Sequence, residues 1–268
     1  MAHFRQLLIT GAAGALGRQF RSHAAHLADR IVVSDRSPVA DVRPHEEERT
    51  ADLGVTDEVR RVVAGCDAIV HLGGQALEAD FATILNANIA GTYNIYEAAR
   101  REGVRRIVYA SSIHAIGYYE RNQTVDASMP QRPDSLYGVS KAFGENLSRY
   151  YFDKFGLESV CIRIGSCFPE PSDERHLITW LSYSDFCQVV ERSLTAPRVG
   201  HMIAMPTSDN SASFWDNRAA SSLGFQPQDS ADGYRDELLA KAGRLDPTNP
   251  AIRFQGGSFC AAGHDEND

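Results

Sequence analysis

Leu7-Leu8-Ile9-Thr10-Gly11-Ala12-Ala13-Gly14-Ala15-Leu16-Gly17 is an apolar run that enters a glycine turn and leaves it into a helical pattern. A strand feeding such a turn makes an anion site. Glycines let backbone N–H groups approach a phosphate, and the helix N-terminus adds partial positive charge. The spacing is G-x-x-G-x-x-G, one residue longer in its first gap than the common dinucleotide fingerprint, so the mechanism is shared and the letter is not. A plain turn would use glycines too. A second β-type run, Ile31-Val32-Val33-Ser34, separates the two readings, because it ends in Asp35, 18 residues after Gly17. A carboxylate placed there accepts hydrogen bonds from adenosine ribose hydroxyls. Together the two strand ends point to a dinucleotide, with Asp35 favouring NAD over NADP. Arg36 blurs that preference, since a guanidinium also suits a 2′-phosphate.

Outward from this unit, β-type runs alternate with helical ones. Leu7–Thr10 precedes Ala15–Ala28, Ile31–Ser34 precedes Thr56–Ala64, and Ala68–His71 precedes Phe81–Arg101. Arg106–Ala110 precedes Leu136–Phe155, and Ser159–Ile164 follows. Such alternation predicts an α/β fold, a Rossmann-type doubly wound parallel sheet with helices on both faces. Ile89, Tyr93, Ile95, Tyr96 and Ala99 recur near helical spacing and predict one face packed on the sheet. After Ile164 the pattern loosens into prolines and turn residues. Residues 1–165 thus read as a nucleotide-binding domain, and 166–268 as a small substrate-binding part packed on it in one compact unit. The stretch from Gly263 to Asp268 reads as a solvated tail.

Ligands of open α/β sheets bind beyond the carboxyl ends of the strands. Four strand ends carry suggestive residues there: Gly11–Gly17, Asp35, His71-Leu72-Gly73-Gly74 and Ser111-Ser112-Ile113-His114. Gly11, Gly14, Ala15, Leu16 and Gly17 are candidate phosphate contacts. Leu72, Gly73 and Gly74 would let backbone approach the cofactor closely, and Asp52-Leu53 would flank the adenine. Asn88 and Ile164 complete the candidate cofactor set.

A net charge of −8 argues against nucleic acid, whose phosphates need a basic face. The five cysteines form no C-x-x-C pair, so neither a disulfide framework nor a zinc site is predicted, and no metal is expected. Nothing in the chain reads as a membrane span or signal segment, and a reducing cytoplasm fits best.

Tyr137 and Lys141, four apart at the start of a predicted helix, share one helical face. An ordinary tyrosine is only about one part in a thousand ionised at neutral pH, and each pKa unit removed by a nearby cation favours the phenolate by about 1.4 kcal/mol. Alone, the pair is an amphipathic surface patch. Joined to a dinucleotide turn and to Ser112 at a strand end, it supplies a base, a cation and a hydroxyl that orients an alcohol.

GAAGALG, Asp35, Ser112 and the Tyr137-x-x-x-Lys141 pair resemble the extended short-chain dehydrogenase/reductase superfamily over roughly residues 5–165. HLGG (71–74), YNIYEAARREG (93–103), ASSIHAIGYY (110–119), RPDSLYGVSKAFGEN (132–146), YFDKFG (151–156), RIGSCFPEP (163–171) and RFQGG (253–257) are similar to the uronate dehydrogenases almost end to end. That resemblance implies oxidation of a cyclic hexuronic acid, D-glucuronate or D-galacturonate, at C1 with NAD+, giving an aldarolactone. Tyr137 would take the anomeric proton, and Ser112 would hold the hydroxyl. Lys141 would bind the nicotinamide ribose and lower the tyrosine pKa. Arg175, assisted by Ser166, would bind the sugar carboxylate through its planar fork. Gln75, Ala76, Ile113 and His114 would complete the substrate site. The resemblance also implies a homo-oligomer built through the helices Phe81–Arg101 and Leu136–Phe155.

Two positions depart from the pattern. Ile113 stands where the family carries asparagine, and Ala76 where it usually carries serine. Each lost hydrogen bond would weaken recognition of its group by about 1–3 kcal/mol. The substrate is what these departures open: a hexose with another C6 group, such as a sulfonate, would also suit Arg175. A nucleotide-sugar epimerase or dehydratase uses the same tyrosine–lysine pair but needs a larger lobe than the chain after Ile164 offers. A catalytically silent NAD-binding protein would have no need of Ser112, Tyr137 and Lys141 together.

Overall fold

The computed structural model describes residues 3–243 and 245–263; the acidic stretch 264–268, read above as a tail, lies outside them. Seven parallel strands form one sheet in the order β3-β2-β1-β4-β5-β6-β7. They are β1 (Phe4–Thr10), β2 (Ala28–Ser34), β3 (Glu46–Glu48), β4 (Ala68–His71), β5 (Arg106–Ser112), β6 (Glu158–Ile164) and β7 (His201–Ala204). The strand order reverses between β1 and β4, which opens a crevice at their carboxyl ends.

Side chains of adjacent strand residues point to opposite faces, and β1 divides its apolar run accordingly. Leu7 and Ile9 join one buried core with Phe20, Phe186 and Val190, and Leu8 joins the other with Val59, Ile69 and Ile95. Each such side chain contributes roughly 1.5–3 kcal/mol on burial. The first core lies under α1 (Ala15–His23) and α7 (Tyr183–Thr195), and the second under α2 (Thr56–Val63) and α4 (Gly91–Glu102).

The carboxyl end of β5 is braced by a buried ion pair. Arg163 of β6 donates to both carboxylate oxygens of Glu145 on α5 (Leu136–Phe155) at 2.8 and 2.9 Å, and Ser111 donates to the same carboxylate at 2.6 Å. That clamp fixes α5 against β5 and β6, where removal of one partner would leave an uncompensated buried charge.

Several boundaries differ from the sequence reading. The first helix stops at His23, a 3₁₀ turn covers Ala24–His26, and Ala28 already begins β2. The helix expected over Phe81–Arg101 is present and runs on to Glu102, with a π turn (Leu85–Ala90) inserted between α3 (Phe81–Ile84) and α4. Its buried face holds Ile95, Tyr96 and Ala99, but Tyr93 is 48% exposed and Ile89 only half-buried, because the π turn shifts the helical phase. β3, α7 and β7 add regular structure that the sequence reading missed. β7 lies beyond residue 165 yet pairs with β6 as the edge of the same sheet.

Candidate active site

The cleft at the strand ends holds about 610 Å³. It is lined by every candidate catalytic, cofactor and substrate residue named above except Asn88 and Ile113.

At its cofactor end Gly11 adopts φ +70°, and a Cβ there would sit 2.7 Å from the Gly73 nitrogen, so both strand-end turns are in close contact. The α1 N-cap is Gly14, with no side chain to occupy the helix N-terminus and no acid in the first turn. The partial positive charge of that terminus is therefore left for an anion. Thr10 joins the turns: its Oγ1 accepts from the Gly73 N–H at 3.2 Å and lies 2.8 Å from His71 Nδ1. Burial, and then the Lys141 charge, push the His71 pKa down to about 3, so this imidazole stays neutral. Asp35 accepts from the Ala13 N–H at 3.1 Å and the Ser37 N–H at 3.2 Å, which hold it at the end of β2. Arg36 and Asp52 are exposed on the rim, with Leu53 between Asp52 and the cleft floor. An open helix N-terminus, two glycine turns and an anchored carboxylate fit a dinucleotide.

Asn88 does not face this cleft. Its Oδ1 accepts from the Gln75 N–H at 2.7 Å, and its Nδ2 donates to Gln75 O at 3.0 Å and Ser140 Oγ at 2.9 Å. The π turn carries it inward, where it ties the loop beside the cleft to Ser140 of α5.

Ser135 caps α5 by accepting from the Gly138 N–H at 2.9 Å, and Glu78 accepts from the Leu136 and Tyr137 N–H groups at 2.9 and 2.7 Å. This capping sets Tyr137 and Lys141 at the cleft, with the Lys141 ammonium 5.4 Å from the centre of the Tyr137 ring. Ser112 hydrogen-bonds the phenol. Lys141 donates to Ala110 O at 2.8 Å, and burial pulls its pKa down to about 8. Burial pushes Tyr137 the other way, up to about 12; the Ser112 hydrogen bond opposes this and the Asp134 charge adds to it. The lowering expected from Lys141 is not among the causes: desolvation raises the tyrosine pKa and only the Ser112 hydrogen bond opposes it.

At the substrate end Arg175 donates from Nε and Nη2 to Gln255 O at 3.0 and 2.8 Å and from Nη1 to Ser166 Oγ at 3.2 Å. Three of its five N–H donors are thereby engaged, leaving two. Burial and the neighbouring Arg121 charge both lower its pKa, yet a guanidinium stays charged. Among the described residues it has no carboxylate within ion-pair distance. His114 lies 2.8 Å through Nδ1 from Asp134 Oδ2, stacks on Phe259 at 3.9 Å, and meets Tyr137 edge-on at 5.7 Å. Gln75 and Ala76 line the same region, and Ser166 Oγ accepts from Arg175 and hydrogen-bonds Thr179 Oγ1 at 2.8 Å, which leaves it one acceptor site.

Ile113 is elsewhere. It is 1% exposed and packs with Ile116, Tyr119, Val125, Met205 and Trp215. The first residue of the 3₁₀ turn after β5 points into that small core, so the departure at Ile113 removes no contact from the cleft.

Several site residues escaped the sequence reading. Gly256, Ser258 and Phe259 form a wall of the cleft. Their segment is held down by Gln255, whose side-chain oxygen accepts from Trp215 Nε1 at 2.9 Å, and by Arg121, which donates to the Phe254 and Ala251 carbonyls. The Arg121 pair with Glu174 at 2.8 Å ties this wall to the loop carrying Arg175. Only the RFQGG segment hinted at it.

Comparison with known proteins agrees with this geometry. The family model described as NAD dependent epimerase/dehydratase family matches residues 7–184. A uronate dehydrogenase of Pseudomonas syringae pv. tomato is 47% identical over 266 residues, covering 97% of this chain and 94% of that protein. The crystal structure of a glucuronic acid dehydrogenase from Chromohalobacter salexigens superposes with a TM-score of 0.95 at 46% identity, covering 99% of this chain and all of the other. A mutant uronate dehydrogenase from Agrobacterium tumefaciens complexed with NAD superposes at 0.91 with 47% identity, over 96% of this chain and 97% of that one. On sequence, fold and cleft alike, the chain belongs with the uronate dehydrogenases to the NAD dependent epimerase/dehydratase family, whose cofactor is NAD.

Proposed function

We propose that the protein oxidises a cyclic hexuronic acid, D-glucuronate or D-galacturonate, at C1 to the aldarolactone. The observation that carries this reading is Arg175: a cation lining the cleft that, among the described residues, has two donors unengaged and no carboxylate within ion-pair distance calls for an anionic group on the substrate. NAD+, when bound, accepts the hydride from C1. Tyr137 takes the proton of the C1 hydroxyl, and Ser112 holds that hydroxyl against the phenol. Lys141, four residues on and on the same face, binds the nicotinamide ribose and supplies positive charge as the phenolate forms. His114, oriented by Asp134 through Nδ1, presents Nε2 to the sugar hydroxyls.

A tyrosine with a pKa near 12 is almost wholly protonated at neutral pH and offers little phenolate to take a proton. The added positive charge of an oxidised nicotinamide works in the direction of lowering it, so the base function belongs to the ternary complex. We assign the protein to a homo-oligomer through α3, α4 and α5, whose exposed Phe81, Tyr93, Val139 and Tyr150 are apolar.

The test is NADH formation with glucuronate, galacturonate, a C6-sulfonated hexose and glucose. Turnover on the hexuronates that vanishes in Tyr137→Phe supports the reading. Preference for the sulfonated sugar reassigns the C6 group, and NAD binding without turnover on any sugar overturns the enzyme.

A further inference from the structure

We propose that His23, His26 and Glu191 form a surface site for a divalent transition-metal ion of the zinc class, clamping α1 to α7 at the end remote from the cleft. His23 closes α1, His26 closes the 3₁₀ turn after it, and Glu191 lies on the facing side of α7. One ligand atom from each lies within 4.8 Å of the others. His23 Nε2 pairs with Glu191 Oε2, and His26 Nε2 is 3.4 Å from the same oxygen.

Two observations go beyond an ion pair. His26 Nδ1 lies 3.0 Å from the His23 carbonyl oxygen. A carbonyl can only accept, so Nδ1 carries a hydrogen, and a metal that displaces the Nε2 proton now shared with Glu191 would meet a lone pair directed at the cluster. Backbone carbonyls orient metal-ligating imidazoles in this way. The two rings also stand almost perpendicular, 81° apart with centroids at 5.4 Å, so the Nε2 atoms converge on one carboxylate without the rings clashing.

Geometry and donor type select the ion. With metal–nitrogen distances of about 2.0–2.1 Å, a tetrahedral ion spaces its ligand atoms roughly 3.3 Å apart. The His26–Glu191 separation already matches. The closer His23–Glu191 contact has to open to admit an ion, which side chains 36% and 25% exposed can do by rotation. Imidazole and carboxylate donors suit Zn2+, Co2+, Ni2+ and Cu2+ over Mg2+ and Ca2+. Cys187, one turn before Glu191, is buried and lies outside this cluster of ligand atoms.

The experiment is titration of the tag-free, reduced protein with Zn2+ and Co2+, by calorimetry and visible absorption, in wild type, His26→Gln, Glu191→Gln and the His23→Gln/His26→Gln pair. One equivalent should bind, with Co2+ bands of a nitrogen–oxygen site, and affinity should fall as pH drops and the imidazoles protonate. Each single variant should weaken binding by about tenfold or more and the double variant should abolish it, with NAD binding unchanged in all. Zn2+ should raise the melting temperature of wild type and not of the double variant. One-equivalent binding that survives in the double variant, or no binding by wild type at submillimolar metal, overturns the site.

Discussion

Replacing Arg175 by methionine should cut kcat/KM on a hexuronate by about 10²–10⁴-fold. The magnitude follows from the donor count: three N–H groups hold Gln255 O and Ser166 Oγ, and two remain for the sugar carboxylate. A hydrogen bond to a charged group contributes about 1.5–3 kcal/mol, so two contribute about 3–6 kcal/mol of transition-state stabilisation. Methionine keeps the apolar stem and removes the fork. The assay is initial-rate NADH formation on glucuronate and glucose side by side, with NAD affinity and melting temperature as controls on the fold. Selectivity for glucuronate over glucose should collapse through the loss on glucuronate, while the rate on glucose stays within about threefold. Arg175→Lys should lie between, since an ammonium keeps the charge and loses the planar fork. A variant that binds NAD normally and retains its glucuronate preference would falsify the assignment of Arg175 to the carboxylate.

Lys141→Met should abolish turnover and yet raise stability at pH 7 by on the order of 1–3 kcal/mol, measured by urea unfolding. The sign follows from a folded pKa of about 8 against an ordinary 10.5: below pH 8 the buried charge costs stability, and between about 8 and 10.5 wild type recovers it as the folded state sheds the proton first. The gap between the two proteins should therefore close as pH rises through that window. Ile113→Asn should destabilise by about 1–3 kcal/mol, because it puts an amide into an apolar cluster, while leaving KM for the sugar unchanged. Ala76→Ser, at the cleft itself, should move KM with little effect on stability. Tyr93→Arg together with Val139→Arg should shift the protein to a smaller species in sedimentation velocity, and an unchanged sedimentation coefficient would count against the helical interface.

The parts legible in the sequence are those whose chemistry is local. Gly11 to Gly17 and Asp35 declare a strand, a turn and a ribose acceptor within one unit, and Tyr137 and Lys141 need only the pitch of a helix to share a face. Arg175 was readable through family resemblance alone, because its role depends on Ser166 and on Gln255, 80 residues further on. Glu78, Asp134 and Phe259 act through contacts that no spacing encodes. β3 was missed for a different reason: Glu46-Glu47-Glu48 has no β-type composition, and its place at the sheet edge rests on partners such as Arg21, which bonds both oxygens of Glu46. Ile113 shows the opposite error. Alignment with a family asparagine placed it in the pocket, while its buried position turns an apolar side chain toward apolar neighbours, so the substitution reports on packing.

The backbone carbonyl of Gln255 carries a consequence for biosynthesis. β1 through β6 and both glycine turns leave the ribosome well before residues 253–260, so a nascent chain acquires its nucleotide-binding half first. Arg175 has only its Ser166 contact until Gln255 arrives to take two of its donors, and the wall made by Gly256 and Phe259 arrives with it. Competence toward the sugar is thus the last property the chain gains during synthesis. A ribosome-stalled chain ending near residue 250 should already retain cofactor while turning over no substrate.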